Sequence, residues 1–319
     1  MSIVLRAWPR IEEFWFDEAI PPRGVDVAWL HQRPAIPEIA QPSAKYTLVV
    51  DLTLTNEQLL ANMQSETRYE IRRAQNKDAL EFRAPTAPDA SSLVAFHDLF
   101  ARFAAEKGLS PVSMEYLQAA AKAGVLRLGS MMHEGEVVVW HSYLLIGSRV
   151  RLLHSASLFR GQASARRSLI GRANRLLHWL EMQHFRDAGF TLYDFGGWYA
   201  GQNHEDFLRV NRFKEGFGGT VRQEAEGVRG LTLLGRAYLW ARQTLLGRAY
   251  RWARRRGRHR LPKKRTKMIT NVEQQVGQSQ SFMMGGAIRT TQRSWNATSS
   301  TRADLVPGTR ARRHPDRGP

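Results

Sequence analysis

A lysine, Lys214, lies in the run Arg212-Phe213-Lys214-Glu215-Gly216-Phe217-Gly218-Gly219, a cation set among rings and glycines. Such a cation can stabilise a developing oxyanion or a neighbouring phosphate. The competing reading is a surface lysine on a β-strand, and spacing alone favours neither. Asp194 stands between Tyr193 and Phe195, just before Gly196-Gly197. Partial burial there would raise its pKa toward general-base duty. A structural aspartate would instead accept backbone N–H bonds and hold the glycine turn, and this second role is favoured. The two glycines let a substrate approach the backbone, or merely make a bend. Arg68 and Arg72 lie one helical turn apart with Arg73 beside them, a spacing suited to phosphate or to a solvated face salt-bridged by Glu66 and Glu70. Tyr69, Trp198 and Arg212 stand in the same runs and complete the candidate substrate-binding set. His204-Glu205-Asp206 are adjacent on an expected loop, where side chains rarely converge on one ion, so no metal is expected.

Elements must position these residues. Leu169, Ile170, Ala173, Leu176, Leu177, Leu180 and Phe185 recur at three- and four-residue steps and predict a helix over Arg167–Asp187. Phe190–Phe195 predicts a strand ended by Gly196-Gly197. The aromatic and basic run Phe207–Phe217, closed by Gly218-Gly219, is also expected as strand, leaving Lys214 on or next to it. Upstream, Lys45–Leu52 reads as a strand. Thr55 and Gln58 form a capping box opening a helix that continues through Ser65–Ala74. Asp78–Pro88 is strand and loop. Ala90–Lys107 and Met114–Ala123 carry helical spacing. Leu126–Met132, Val137–Ile146 and Val150–Leu158, joined by short turns, predict an antiparallel meander. Residues 1–44, rich in Pro and Trp, show no period and are expected to be irregular with one short helix.

The charge is unevenly placed. Residues 229–319 hold 21 of the 47 basic residues and only three acids, Glu273, Asp304 and Asp316, leaving 26 of each sign before them. Cysteine is absent, which excludes disulfides, cysteine-ligated zinc and thiol nucleophiles, and fits a cytoplasmic location. The acidic N-terminal stretch lacks the apolar core of a signal peptide, and no run has membrane-spanning length, so membrane contact would be peripheral. A repeat of 12-residue period, Leu233-Leu-Gly-Arg-Ala-Tyr and Leu245-Leu-Gly-Arg-Ala-Tyr, predicts an imperfect amphipathic helix with weak points at Gly235 and Gly247. Residues 268–319 are polar and aperiodic and read as disordered.

The run Leu192-Tyr-Asp-Phe-Gly-Gly197, followed by Arg212-Phe-Lys-Glu-Gly-Phe-Gly-Gly219, resembles the closing part of the Fem-type family, the peptidoglycan-bridge aminoacyltransferases. Thr67-Arg68-Tyr-Glu-Ile71-Arg72-Arg-Ala74 resembles a Thr-Arg-x-x-Ile-Arg/Lys-x-Ala segment of the same family. The resemblance covers roughly Leu48–Gly219. It implies an α+β fold of the GNAT (acyl-CoA N-acyltransferase-like) type, a mixed sheet with flanking helices. It also implies that Phe213 and Lys214 sit next to the reacting carbonyl. The sequence departs from the family in having about 85 residues before the catalytic-looking half and no heptad arm. An acyl-CoA enzyme of this fold should carry a pyrophosphate loop after its meander. Here Arg167…Gly171-Arg-Ala173 has one residue too many before its glycine.

The expected organisation is a reduced N-terminal half (1–85), a catalytic GNAT-like domain (86–228), a basic helical segment (229–267) and the disordered tail (268–319). Lys214, Phe213 and Asp194 are the candidate catalytic residues. By resemblance, an amino acid would pass from charged tRNA, without a cofactor, to an amine of a cell-wall precursor. Basic residues interleaved with Tyr238, Trp240, Tyr250 and Trp252 would dock on an anionic membrane or on RNA. The alternatives are an acyl-CoA-dependent N-acyltransferase acting on a sugar or polyamine amine, and a non-catalytic RNA-binding protein.

Overall fold

The structure, a computed structural model, describes residues 2–36, 42–157 and 161–256, with side chains through residue 244. Its strands are β1 (Ile3–Arg6), β2 (Ile11–Trp15), β3 (Val27–Arg33), β4 (Ser43–Asp51), β5 (Leu80–Thr86), β6 (Leu126–His133), β7 (Glu136–Ile146), β8 (Arg149–Ala156), β9 (Leu192–Gly197) and β10 (Thr220–Gly230). The helices are α1 (Asn56–Asn62), α2 (Ser65–Lys77), α3 (Ala90–Lys107), α4 (Met114–Lys122), α5 (Ser164–Asp187), α6 (Glu205–Glu215) and α7 (Leu233–Arg256). All ten strands form one mixed sheet in the order β1-β2-β3-β10-β4-β9-β8-β7-β6-β5. Neighbours run antiparallel except β2 with β3 and β8 with β9. Strands from either side of residue 85 thus share one sheet, β10 lying between β3 and β4.

Two apolar layers cover the sheet. On one face α1, α2 and α5 press Leu59, Ile71, Leu177 and Phe185 onto Leu48, Val50, Tyr193 and Phe195. On the other, α3 and α4 bury Phe96, Phe100 and Leu117 against Leu126, Leu144 and Leu153. Helices and meander follow the apolar spacing closely, because periodicity records which face is removed from water. The Thr55–Gln58 capping box is present.

Four expectations are corrected. Residues 1–44 contain strands β1, β2 and β3 rather than irregular chain. Glu12 and Glu13 hid β2 by breaking its alternation, yet both are buried and held: Arg10 and Ser2 bond Glu12, while Tyr116 donates to Glu13 at 3.1 Å. The helix opened by Thr55 does not run on into Ser65–Ala74. It breaks at Met63–Gln64, where Gln64 N–H donates to Gly216 O at 3.0 Å. Phe207–Phe217 is chiefly helix, not strand: Phe207, Val210, Asn211 and Lys214 fall on one side of α6, and Glu205 and Asp206 oppose the dipole of its first turn. Gly235 is not a weak point. Helix α7 runs through it, and any Cβ there would collide with the Asp26 carbonyl, so the glycine permits close packing. Residues 257–267 of the expected basic segment, and the expected disordered tail, lie outside the described residues.

Candidate active site

Strands β8 and β9 pair in parallel only over Arg149–Arg151 and Leu192–Asp194, then part. Two irregularities accompany the parting. On β8, Ser142 faces His154 while Tyr143 faces Leu152, so Leu153 is an extra, bulged residue. On β9, Phe195 and Gly196 together oppose the single residue Leu48. Gly196 has φ +68°, and a Cβ on it would lie 3.0 Å from the Leu152 carbonyl. Only glycine meets both demands comfortably. Between the splayed ends lies a cavity of about 290 Å³. Leu152, His154, Gly196 and Gly197 line it from the strands, Phe207, Val210, Asn211 and Lys214 from α6, and Phe100 and Phe103 from α3.

Lys214 is buried, not a surface lysine. Its ammonium donates to the carbonyls of Gly197 and, at 3.4 Å, Gly196. Two of its three donors are thereby engaged at the cavity wall. Burial pushes its pKa down, with Arg151 adding to the fall and Asp194 opposing it, to about 8. The side chain is therefore charged at neutral pH but close to titrating.

Asp194, named as a candidate catalytic residue but favoured as the holder of the glycine turn, has the contacts of the second role. Its carboxylate is fully buried and accepts from Arg149 at 2.6 and 3.1 Å, Gln32 at 3.0 Å, the Thr47 hydroxyl, and Gly196 N–H at 2.7 Å. Burial alone would raise its pKa, but Arg149 and Arg151, with the Thr47 and Gly196 hydrogen bonds, bring it below the ordinary value. A carboxylate that already accepts from four partners and is held below its ordinary pKa is a weak base. It holds the Gly196 turn instead.

The other candidates separate. Gly196 and Gly197 line the cavity. Trp198 does not; it packs on the core under its N–H bond to Tyr46 O at 2.7 Å, and Tyr199 lines the cavity in its place. Phe213 faces the core side of α6, near His178 and Phe217 and under the Arg175 guanidinium at 5.2 Å, so it backs the site without entering it. Arg212 is exposed and bonded to Glu205 at 2.5 Å. Arg68 turns inward to the carbonyls of Met63 and Leu60, closing the end of α1, which removes it from the phosphate-facing set. Arg72 and Arg73 are exposed, as is Tyr69, whose hydroxyl accepts from Arg73 at 3.4 Å. Arg73 lines a second, polar groove of about 550 Å³ between α2 and α5 with Arg172, Arg175, Glu66 and Glu70. The segment Arg167–Ala173 lies inside α5 rather than in a loop.

A buried polar chain escaped the sequence reading. It runs from His178 through the hydroxyls of Tyr193 and Tyr143 to Glu181 at 2.6, 2.7 and 2.5 Å, with His141 on Glu181 at 2.7 Å. The alternation Tyr193-Asp194-Phe195 was its one visible sign, because it sends the tyrosine and the aspartate to opposite faces. Donor atoms of His141, His178 and Glu181 lie within 4.8 Å of one another, an arrangement that could hold an ion. His141 is, however, already held through Nδ1 by Glu181 at 2.7 Å and through Nε2 by Asn174 at 2.9 Å. Burial, with repulsion from His141 and Lys214, holds His178 well below its ordinary pKa. The expected loop triad is apart from this: Glu205 and Asp206 open α6 and pair with Arg209 at 3.7 and 3.4 Å.

Comparison with known proteins bears on the fold. Residues 61–214 match the family described as Acetyltransf_6, an acetyltransferase (GNAT) domain. No curated protein sequence matches the chain. Among solved structures, FemX is similar at 15% identity over 61% of this chain and 63% of that one, with a TM-score of 0.48. L-PGS from Bacillus licheniformis is similar at 12% identity over 68% of this chain and 76% of that one, with a TM-score of 0.43. A GCN5-related N-acetyltransferase from Kribbella flavida is similar at 12% identity over 63% and 66%, with a TM-score of 0.33. The chain thus spans less than two thirds of FemX. The matched stretch, residues 61–214, takes in the whole meander, both splayed strands and α6 as far as Lys214 itself, and over that stretch the chain is similar to a GNAT-type acetyltransferase domain.

Proposed function

We infer that this domain transfers an aminoacyl group, carried as an ester on tRNA, to an amine of a cell-wall or related precursor. The observation that carries the reading is Lys214, a buried ammonium on the edge of a cavity where two parallel strands part. A substrate carbonyl in that cavity would meet the third ammonium N–H, and a cation in a water-poor site favours the negative oxygen that forms on attack. The amine nitrogen bonds to the carbonyl carbon, the ester C–O bond breaks, and the nitrogen's proton ends on the departing oxygen. Asp194 does not serve as base, so the amine enters as its free base. The choice of tRNA over CoA rests on the Fem-type motifs and on Arg167–Ala173 being helical.

Helix α7 is read as a docking element for the anionic inner face of a membrane, where a lipid-linked precursor would lie. Leu233 is 83% and Trp240 69% exposed, and Arg236 and Arg242 lie on the same helix. Aromatic rings favour the headgroup layer, and each basic residue held there contributes about 1 kcal/mol. Among the described residues no helix is long and apolar enough to cross a membrane.

Mass spectrometry of reactions offering mixed aminoacyl-tRNAs, acyl-CoAs and muropeptides tests the transfer. An aminoacylated amine is expected. Product from acyl-CoA alone would replace tRNA as donor, and tRNA binding without product would leave an RNA-binding protein. Flotation with anionic vesicles, reduced by Trp240→Ala, tests the docking; equal flotation with neutral vesicles would refute it.

A further inference from the structure

The cavity beside Lys214 has a chemical character of its own. Its walls are rings and aliphatic groups: Phe100 and Phe103, 5.7 Å apart, with Leu109 on one side, and Phe207 and Val210 of α6 on the other. The hydroxyl-bearing residues Ser110, Ser155 and Tyr199 also line it, and two further polar groups are engaged. The Asn211 amide is consumed by the Tyr199 backbone, accepting from its N–H at 3.1 Å and donating to its carbonyl at 2.8 Å. His154 shares a hydrogen bond of 2.8 Å with Ser142 and packs on Phe100 at 4.8 Å. Burial, with repulsion from Arg151, lowers its pKa to about 3, so it carries no charge. Among the described lining residues Lys214 is the one formal charge, and no carboxylate accompanies it.

We propose that this cavity selects the side chain of the transferred aminoacyl group, accepting an uncharged apolar one, leucine-like or phenylalanine-like, and rejecting a cationic one. This selectivity rests on the acyl-transfer reading of the same site. Three features support it. A volume of about 290 Å³ stands at the lower end of ligand pockets, enough for an amino-acid side chain and far too little for a whole carrier. The apolar walls gain from each methylene removed from water. A lysine-like side chain would bring a second ammonium beside Lys214 with no carboxylate to pair it, a like-charge contact in a site of low dielectric.

The test uses the full chain and, as probes, the N-acetyl amides of leucine, phenylalanine, glycine and lysine, titrated by NMR. Leucine and phenylalanine amides should bind about tenfold or more tightly than glycine amide, with lysine amide weakest. Val210 is half exposed, so Val210→Asp should fold normally, checked by its melting curve. This variant should weaken the leucine probe about tenfold and strengthen the lysine probe. Should Val210→Asp unfold, Phe103→Ala at the opposite wall gives the same reading on the leucine probe. Equal affinity for all four probes, preference for lysine, or binding by none of them overturns the proposal. Ranked binding without transfer from any charged tRNA would keep the pocket and refute the transfer reading. Transfer from glycyl- and leucyl-tRNA at equal kcat/KM would do the reverse.

Discussion

At the scale of single residues, Lys214 and Gly196 carry the sharpest expectations. Lys214 has no ion-pair partner among the described residues, so Lys214→Met should leave the fold intact while lowering transfer on the order of 100-fold or more, read by single-turnover rates and a melting curve. Its pKa of about 8 also predicts a pH profile. If the charged form stabilises the oxyanion, kcat falls as pH rises through about 8, and Lys214→Arg moves that limb upward. A rising limb at that pH, lost in the arginine variant, would instead make Lys214 a base. Gly196 sits at φ +68° under the Leu152 carbonyl, so Gly196→Ala should destabilise by about 1–2 kcal/mol, measured by denaturant titration.

Among the elements, the break between α1 and α2 divides the arginines into two kinds. Arg68 closes α1 through the Met63 and Leu60 carbonyls, whereas Arg72 and Arg73 reach outward from α2. Arg68→Ala should therefore cost about 1 kcal/mol of stability and, with charged tRNA as the proposed donor, leave the salt dependence of its binding unchanged. Arg72→Gln with Arg73→Gln should do the opposite, weakening binding and flattening its salt slope without changing the melting temperature. If all three act alike, the division is wrong. The same break anchors α2 on the end of α6, since Gln64 bonds Gly216, and so couples this helix to the one that carries Lys214.

At the scale of the described molecule, a layer of buried charge joins the N-terminal strands to the half that carries Lys214. Arg149 bridges Asp194 of β9 and Glu224 of β10, while His31 of β3 stands between Glu13 at 3.3 Å and Glu226 at 3.8 Å. Burial opposes a charge on His31, but Glu13 and Glu226 overcome it and raise its pKa to about 9. A histidine raised in the folded state stabilises fully below its unfolded pKa near 6.5 and loses that contribution as pH climbs through 9. The span corresponds to stabilisation on the order of 3 kcal/mol. Lys214, lowered from 10.5 to about 8, acts oppositely, and stability regained from it appears between pH 8 and 10.5. Unfolding free energy should thus decline from pH 6.5 to 8 in the wild type. In His31→Gln it should decline far less, from a lower starting value, because the carboxylates lose their partner. Parallel curves for the two proteins would remove His31 from the linkage.

The sequence by itself determined the elements whose burial is one-sided and local. Helices α3 and α5, the meander β6–β8, the Thr55 cap and the strand ending in Gly196-Gly197 were legible because apolar spacing and turn residues report directly on which face meets water. The Fem-type runs likewise pointed to Lys214 and to the glycines that line the cavity. Tertiary structure decided what depends on partners distant in the chain. Strand β2 was hidden because its buried glutamates are compensated by Arg10, Tyr116 and His31, which no local pattern reveals. Asp194 became a structural anion only because Arg149 and Gln32 converge on it, 45 and 162 residues away in sequence. The cavity is the same kind of fact. It exists because two parallel strands part after three paired residues, and α3 and α6 then close their rings over the gap.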